Sequence, residues 1–171
     1  ATPFSVDPWE PIARGVFKSK TGGDNWKKSN GKGWQASLPK GEGGVLSIFR
    51  LVGDPNYPDT LYTGHAMAGI YKTADGGGTW VGKNNGLPKD PIFGLHVNVL
   101  EIAPSNTNTL YAAPFINYPV GYFRDKGPQP QGIYKTVDGG ENWVKLDTGS
   151  IILPLPWDLA TFVTSLKVSP R

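Results

Sequence analysis

The feature that most constrains this chain is a twelve-residue segment that occurs three times. The copies occupy residues 15–26, 69–80 and 132–143, and each runs from a glycine, through an alternating stretch and a Gly-Gly pair, to a tryptophan. Alternation with period two predicts a strand, and the Gly-Gly pair predicts a tight hairpin because glycine accepts the positive φ that such turns need. The chain is therefore expected to be a stack of similar units.

A second motif ends in proline and precedes each copy, at residues 4–8, 51–55 and 100–104, and it recurs at 166–170. Proline cannot donate to a β-ladder and so marks a strand end. A Thr-Leu-Tyr segment follows the proline at 60–62 and 109–111. A full unit is predicted to have four short strands: A before the proline, B at Thr-Leu-Tyr, C before the Gly-Gly pair and D from the tryptophan.

Composition supports an all-β chain and excludes several other classes. Gly and Pro make up 39 of 171 residues (23 and 16), too many for a helical bundle, while 20 aromatic residues (6 Trp, 7 Tyr and 7 Phe) argue against disorder. The absence of cysteine excludes disulfides and thiolate metal sites. No apolar run approaches the ~18 residues of a membrane span, and no nucleotide fingerprint occurs. Neither a cofactor nor a membrane span is expected.

The charge pattern argues against a nucleic-acid partner, and the histidines argue against a metal site. The chain has 17 basic and 14 acidic residues, and its basic side chains are separated by Gly, Ser and Asn rather than forming a dense stripe. His65 and His96 lack metal-ligand spacing. No metal ligand is predicted.

The second copy contains the full pattern Ser/Thr-x-Asp-x-Gly-x-Thr-Trp, and the third differs only by Asn142 in place of Thr. With these motifs the chain resembles the Asp-box, or BNR, β-propeller superfamily, which includes sialidases, xyloglucan-degrading hydrolases, sortilin-type receptors and a photosystem II assembly factor. The resemblance implies an all-β fold of four-stranded antiparallel propeller blades. About three blades are expected, forming an incomplete ring.

The same resemblance implies that the repeated turns are structural and lie away from any substrate. The turn chemistry agrees, because an Asp carboxylate can accept backbone N–H groups of its own turn and a tryptophan can bury the hairpin. The predicted structural residues are Thr73, Asp75, Gly77, Trp80, Thr136, Asp138, Gly140 and Trp143. A direct ligand role for the two aspartates is the alternative. Thr21 replaces the aspartate in the first copy, so that turn is expected to be weaker.

The repeats predict four segments. Residues 1–44 form a short first blade with a degenerate Asp-box, 45–95 a second blade, 96–160 a third blade with a long B–C insertion at 112–131, and 161–171 the first strand of a further blade. Propellers close with about four to eight blades. The chain is therefore part of a longer propeller, associates with its own copies or another chain, or stacks openly against a larger assembly.

The candidate binding site lies on the B–C and D–A connections, on the rim opposite the repeated turns, because long loops on a rigid scaffold often carry function. The predicted binding residues are Phe115, Tyr118, Tyr122, Phe123 and Arg124 in the insertion and Trp157 in a D–A connection. Such aromatic faces suit a sugar ring or a protein partner. Alternatively, they pack the insertion onto its own blade.

Catalysis is not expected, because glycoside hydrolysis needs two carboxylates that flank the sugar and no pair is marked by sequence. Asp90, Asp125 and Asp158 are the weak catalytic candidates. The leading hypothesis is a non-catalytic propeller segment that binds a protein or a glycan outside the cytoplasm. A start at Ala1 without Met indicates either removal of a signal peptide or a fragment, and the sequence does not separate the two. The alternative is part of a propeller-type glycoside hydrolase acting on polysaccharide.

Overall fold

The computed structural model describes residues 15–29, 31–33, 48–90, 94–116, 129–130, 132–147, 163 and 165–169. Within these ranges there are eleven strands and no helix. Every strand pairing is antiparallel. The predicted all-β fold class is confirmed.

The strands form three sheets that follow the repeats. Sheet one contains β1 (Phe17–Ser19) and β2 (Trp26–Lys28). Sheet two has the order β3 (Ile48–Gly53), β4 (Leu61–His65), β5 (Gly69–Thr73) and β6 (Val81–Gly82). Sheet three runs through β7 (His96–Ile102), β8 (Leu110–Ile116), β10 (Tyr134–Thr136) and β11 (Val144–Lys145), with β9 (Gln129–Pro130) beside β8. Sheet two and the β7–β8–β10–β11 path of sheet three are four-strand meanders, the architecture of propeller blades.

Hydrogen bonds between connections define two opposite rims. On the Gly-Gly rim, formed by the A–B and C–D connections, Gly76 N–H donates to the Asp59 carbonyl at 2.9 Å, and an equivalent bond joins residues 139 and 108 at 2.8 Å. On the loop rim, formed by the B–C and D–A connections, Gly69 N–H donates to the Leu95 carbonyl at 2.8 Å. The B–C connection and the end of the D–A connection therefore lie at the opposite strand ends from the Gly-Gly turns, whereas the start of the D–A connection contacts the next copy, where Trp143 N–H donates to the Asn85 carbonyl at 2.9 Å.

The apolar cores lie between consecutive sheets. Tyr71 and Trp80 of sheet two pack with Val16 of the sheet-one repeat. A larger core between sheets two and three contains Val52, Tyr62, Ile70, Leu87, Leu95, Val97, Leu100, Leu110, Ala112, Ile116, Tyr134 and Trp143. Because sheet two contributes to both cores, it is packed face to face between sheet one and sheet three.

Strand β8 is longer than the Thr-Leu-Tyr motif indicates. It continues to Ile116, where Phe115 is paired with His96 on one side and with Pro130 on the other. Residues 112–116, which the sequence assigned to the B–C insertion, therefore lie in a strand. The reason is that β7 has seven residues and pairs with β8 as far as His96 opposite Phe115. Residues 117–128 and 131 of the insertion lie outside the described ranges.

Candidate functional site

The Gly-Gly turn of sheet two is held by a small network around Thr73 and Asp75. Thr73 Oγ donates to Asp75 Oδ1 at 2.7 Å and accepts from Gly77 N–H at 3.0 Å. Asp75 Oδ1 also accepts from Thr79 N–H at 2.8 Å. Gly76 and Gly77 have φ of 69° and 97°, in the left-handed region that favours glycine. This conformation explains why the motif needs two glycines.

The carboxylate of this turn is committed to its own backbone. Hydrogen bonds from the Thr79 N–H and the Thr73 hydroxyl lower the pKa of Asp75 to about 2. In the third copy the Thr136 hydroxyl and the Asn142 side chain and N–H lower the pKa of Asp138 to about 2. A general acid must hold a proton near neutral pH, so neither aspartate suits that role.

The first copy keeps the turn without a carboxylate. Ser19 Oγ accepts from Gly23 N–H at 2.9 Å, and Thr21 Oγ1 accepts from Asn25 N–H at 3.0 Å. These bonds match those made by Thr73 and Asp75 in the second copy. Thr21 therefore supplies a neutral acceptor in place of the aspartate. The expectation that this turn is weaker stays a prediction.

The tryptophans that end the second and third copies are buried against the preceding sheet. Trp80 is 1% exposed and Trp143 is 3% exposed. The Trp80 indole donates to the Ser29 carbonyl at 3.2 Å, and the Trp143 indole donates to the Lys83 carbonyl at 2.9 Å. Each tryptophan thus closes its own turn and joins two sheets.

A groove of about 390 Å³ runs along the Gly-Gly rim, but its charged groups are already engaged. Lys83 pairs with Glu141, and the Lys72 ammonium lies 5.2 Å from the centre of the Tyr62 ring. The lining carboxylate of Asp75 serves its own turn. The loop rim is consequently the better candidate for a functional site.

The predicted loop-rim residues fall into two groups. Phe115 is described and lies on β8, whereas Tyr118, Tyr122, Phe123, Arg124, Asp125, Trp157 and Asp158 lie outside the described residues. Asp90 is half-buried, and its carbonyl accepts from Gly94 N–H at 3.1 Å. The structure therefore brings Phe115 to the rim and leaves Asp90 in the preceding D–A connection.

Three aromatic rings meet where strands A and B reach the loop rim. The His96 and Phe115 rings are stacked, with centres 5.0 Å apart and planes at 26°. The Phe49 and His96 rings are 6.3 Å apart with planes at 22°. We call this row of Phe49, His96 and Phe115 the aromatic ladder. It spans sheets two and three, and Phe49 at its end is 47% exposed.

Of the three ladder residues, the sequence analysis named Phe115 as a binding candidate but neither Phe49 nor His96. The pairing of β3 with β4 shifts register between Ile48 and Arg50, so Phe49 is the extra residue of a β-bulge. The pairing of β7 with β8 shifts at the equivalent place, between Val97 and Val99. Bulges redirect side chains at strand ends. The signal was a break in alternation at matching positions of two repeats.

His65 lies beneath this end of sheet two. It is 0% exposed, its Nε2 is 2.8 Å from the Thr63 hydroxyl, and its ring meets that of Tyr71 edge to face at 5.1 Å. Burial disfavours the charged imidazolium and lowers the pKa of His65 to about 4. His65 is therefore a neutral, buried side chain near pH 7.

Ion pairs connect strand β3, strand β7 and the segment 165–169. The Arg50 guanidinium pairs with the Glu101 carboxylate and also donates to the Leu100 carbonyl at 3.2 Å. Lys167, in the segment 165–169, lies 3.6 Å from the same carboxylate.

Among the described residues, no group of three or more His, Cys, Asp or Glu could hold a metal ion. Nor does that part of the chain contain a helix able to cross a membrane.

Comparisons with known proteins give one curated relative and two solved structures of note. No protein-family model matches the chain. The chain is 26% identical, over 98% of its length, to a probable oligoxyloglucan-reducing end-specific xyloglucanase of Neosartorya fischeri, and it spans 20% of that protein. A GH74 xyloglucanase structure from Xanthomonas campestris aligns with 72% of this chain and 16% of its own, at 21% identity and a TM-score of 0.47. An ancestral GH74 enzyme aligns with 80% of this chain and 22% of its own, at 14% identity and a TM-score of 0.43.

Proposed function

We propose that this chain is a stretch of Asp-box blades from a propeller-type glycoside hydrolase that acts on a xyloglucan-like polysaccharide outside the cytoplasm. The similarity to a probable xyloglucanase over 98% of the chain supports this substrate class. Because the chain spans only a fifth of that relative, its part in the reaction is a share of the substrate-binding surface.

The observation that carries the proposal is the aromatic ladder. Its rings lie nearly parallel, at 22° and 26°, and cross from sheet two to sheet three on the loop rim. The apolar face of a sugar ring packs well on an aromatic ring, and the exposed ring of Phe49 offers such a surface. A polysaccharide lying across the blades would meet the ladder, and Tyr118, Tyr122, Phe123, Arg124 and Trp157 stay predicted binding residues from the sequence.

Catalytic carboxylates would come from the loop rim. Asp75 and Asp138 lie on the opposite rim and are held ionised by their turns, with pKa values of about 2. Asp90 remains a catalytic candidate, together with Asp125 and Asp158. A hydrolase needs a second carboxylate across the sugar, and we propose that other blades of the protein contribute it.

A non-catalytic binding module is the second candidate function. The ladder favours it as well, because aromatic stacking holds a glycan whether or not carboxylates act on it. The two functions differ in outcome, since only the hydrolase releases new reducing ends.

Calorimetric titration with a xyloglucan oligosaccharide, and with an unsubstituted cello-oligosaccharide for comparison, tests the site. Phe49→Ala and Phe115→Ala are each expected to weaken binding by about tenfold or more, because each removes a ring of the ladder. Tyr57→Ala is the matched control, since Tyr57 is an aromatic residue 65% exposed on the other rim. Unchanged binding in both ladder variants would contradict the proposal. In the longer protein that contains these blades, loss of reducing-end release in Asp90→Asn with binding kept would assign the hydrolase.

A further inference from the structure

Met67 has an unusual backbone conformation in the hairpin that joins β4 to β5. Its φ is 67°, in the left-handed region, and every other residue with a positive φ in the described part of the chain is a glycine. A side chain in this region is strained, and glycine would fit the same turn without that cost. Strained residues of this kind cluster at functional sites. The turn alone does not explain why a methionine occupies this position.

The surrounding residues hold Met67 in this conformation. Its carbonyl accepts from Leu95 N–H at 3.2 Å, and a Cβ on Gly94 would overlap the same carbonyl oxygen, so the two segments are in close contact. The next residue, Ala68, is 8% exposed and packs in the core that contains Tyr71. Met67 itself is 39% exposed. The backbone of the hairpin is therefore fixed, and the Met67 side chain is left accessible.

This hairpin is the B–C connection of sheet two and lies beside the aromatic ladder on the loop rim. Leu95, which binds the Met67 carbonyl, directly precedes His96 of the ladder. Strand β4 pairs with β3, the strand that carries Phe49. The ladder step from Phe49 to His96 crosses from sheet two to sheet three, whereas Met67 follows β4 within sheet two. Met67 therefore lies to one side of this step, where a branch from a chain on the ladder would meet it.

The chemistry of the Met67 side chain fits such a contact. Methionine is unbranched, flexible and apolar, so it adapts to an irregular surface such as the C–H face of a sugar. We infer that Met67 is a specificity-determining residue, whose side chain packs against the branch sugars of a substituted glucan that lies on the aromatic ladder. The inference rests on the proposed function, because it requires the glycan to occupy the ladder.

Calorimetric titration of Met67→Gly tests the inference. This variant is expected to bind a branched xyloglucan oligosaccharide about fivefold or more weakly, and an unsubstituted cello-oligosaccharide less than about twofold more weakly, because only the branch loses its contact. Glycine relieves the strained φ, so the same variant should unfold at a higher urea concentration than the wild type. Weaker binding by a more stable protein cannot result from misfolding. Met67→Leu keeps the apolar bulk and should lose less affinity, and Tyr57→Ala, on the other rim, is the unaffected control.

Oxidation of Met67 gives a test that needs no substitution. The chain has 1 methionine and 0 cysteines, so hydrogen peroxide has a single thioether to attack. The peroxide transfers one oxygen atom to the sulfur, which becomes the sulfoxide, and leaves as water. A saturating xyloglucan oligosaccharide is expected to slow this reaction by about threefold or more, because the branch sugars cover the side chain. The cello-oligosaccharide should leave the rate near that of the free protein, and peptide mass spectrometry measures the sulfoxide.

Failure of this inference can be distinguished from failure of the proposed function. If Phe49→Ala weakens binding of both oligosaccharides while Met67→Gly binds both as the wild type does, the ladder holds the glycan and the role of Met67 is wrong. Equal losses for the two oligosaccharides in Met67→Gly, or an oxidation rate that the xyloglucan oligosaccharide does not change, would also overturn the inference. A wild type that binds neither oligosaccharide would contradict the proposed function as well.

Discussion

The hydroxyl of Thr73 donates a hydrogen bond to Oδ1 of Asp75 at 2.7 Å while its oxygen accepts the Gly77 N–H at 3.0 Å. Thr73 is 1% exposed, so water cannot readily replace either bond. One small side chain therefore fixes both the carboxylate and the glycine that define the turn.

Thr73→Val keeps the shape of this side chain and removes the hydroxyl. We expect a loss of about 1–3 kcal/mol in the free energy of unfolding, because a buried N–H is left without its acceptor. Urea unfolding measures the change. Ser19→Ala removes the equivalent hydroxyl from the more exposed first turn and should cost less. Equal losses in the two variants would contradict the role of burial.

The low pKa values of the turn carboxylates Asp75 and Asp138 predict a loss of stability at low pH. Because the pKa of Asp75 and of Asp138 falls from 3.8 in the unfolded chain to about 2 in the folded protein, the unfolded state binds more protons between these values. Their contribution is fully present above about pH 4 and is lost as the pH falls towards 2. Denaturant unfolding across this window should show a steeper decline in the wild type than in a double Asp75→Asn, Asp138→Asn variant.

The buried His65 side chain predicts a second loss of stability on acidification, in the window between pH 6.5 and 4. Its pKa is lowered from 6.5 to about 4, so folding favours the neutral ring, and stability falls as the pH drops from 6.5 to 4. The full effect is about 3 kcal/mol, from the size of the pKa shift. His65→Gln should remove this slope while leaving the decline below pH 4. His96→Gln, at the half-buried histidine of the ladder, is the control and should keep the slope; a slope that survives in His65→Gln would refute the assignment.

The strands and turns could be predicted from sequence because their causes are local. Gly76 and Gly77 adopt positive φ as the Gly-Gly pair indicates, and β5 covers the alternating segment before it. The burial of the tryptophan side chains could not be predicted in the same way. Trp26 and Trp80 end the same motif, yet one is 62% and the other 1% exposed, because the covering surface belongs to a different repeat.

The aromatic ladder was only partly predictable. Phe115 lies in a segment rich in aromatic residues, but Phe49 stands alone in a strand whose alternation is broken by a bulge. The ladder exists because the bulged strands β3 and β7 place Phe49 and His96, near their starts, side by side, and β8 pairs Phe115 with His96. The break in alternation marks the bulge, but the approach of the two strands is not encoded in a short stretch of sequence.

Gly86 of sheet two lies against the backbone of Trp143 in the next copy. Of Gly86, Gly22 and Gly82, we expect Gly86 to be the least tolerant of substitution by alanine. Its φ is 85°, and a Cβ there would overlap the carbonyl oxygen of Trp143. Backbone strain and steric overlap add, so Gly86→Ala should lower the free energy of unfolding by about 3 kcal/mol or more. Thermal and urea unfolding measure the loss.

Substitutions at Gly22 and Gly82 distinguish the cost of backbone strain from the cost of steric overlap. Gly22 has a φ of 69° with no atom within 4 Å of a built Cβ, so Gly22→Ala should cost only the strain, about 1 kcal/mol. Gly82 has ordinary φ, and the nearest atom to its Cβ is Asn84 Nδ2 at 3.6 Å, so Gly82→Ala should change stability by less than about 0.5 kcal/mol. If Gly86→Ala costs no more than Gly22→Ala, the close approach of residue 86 to Trp143 does not help hold sheets two and three together.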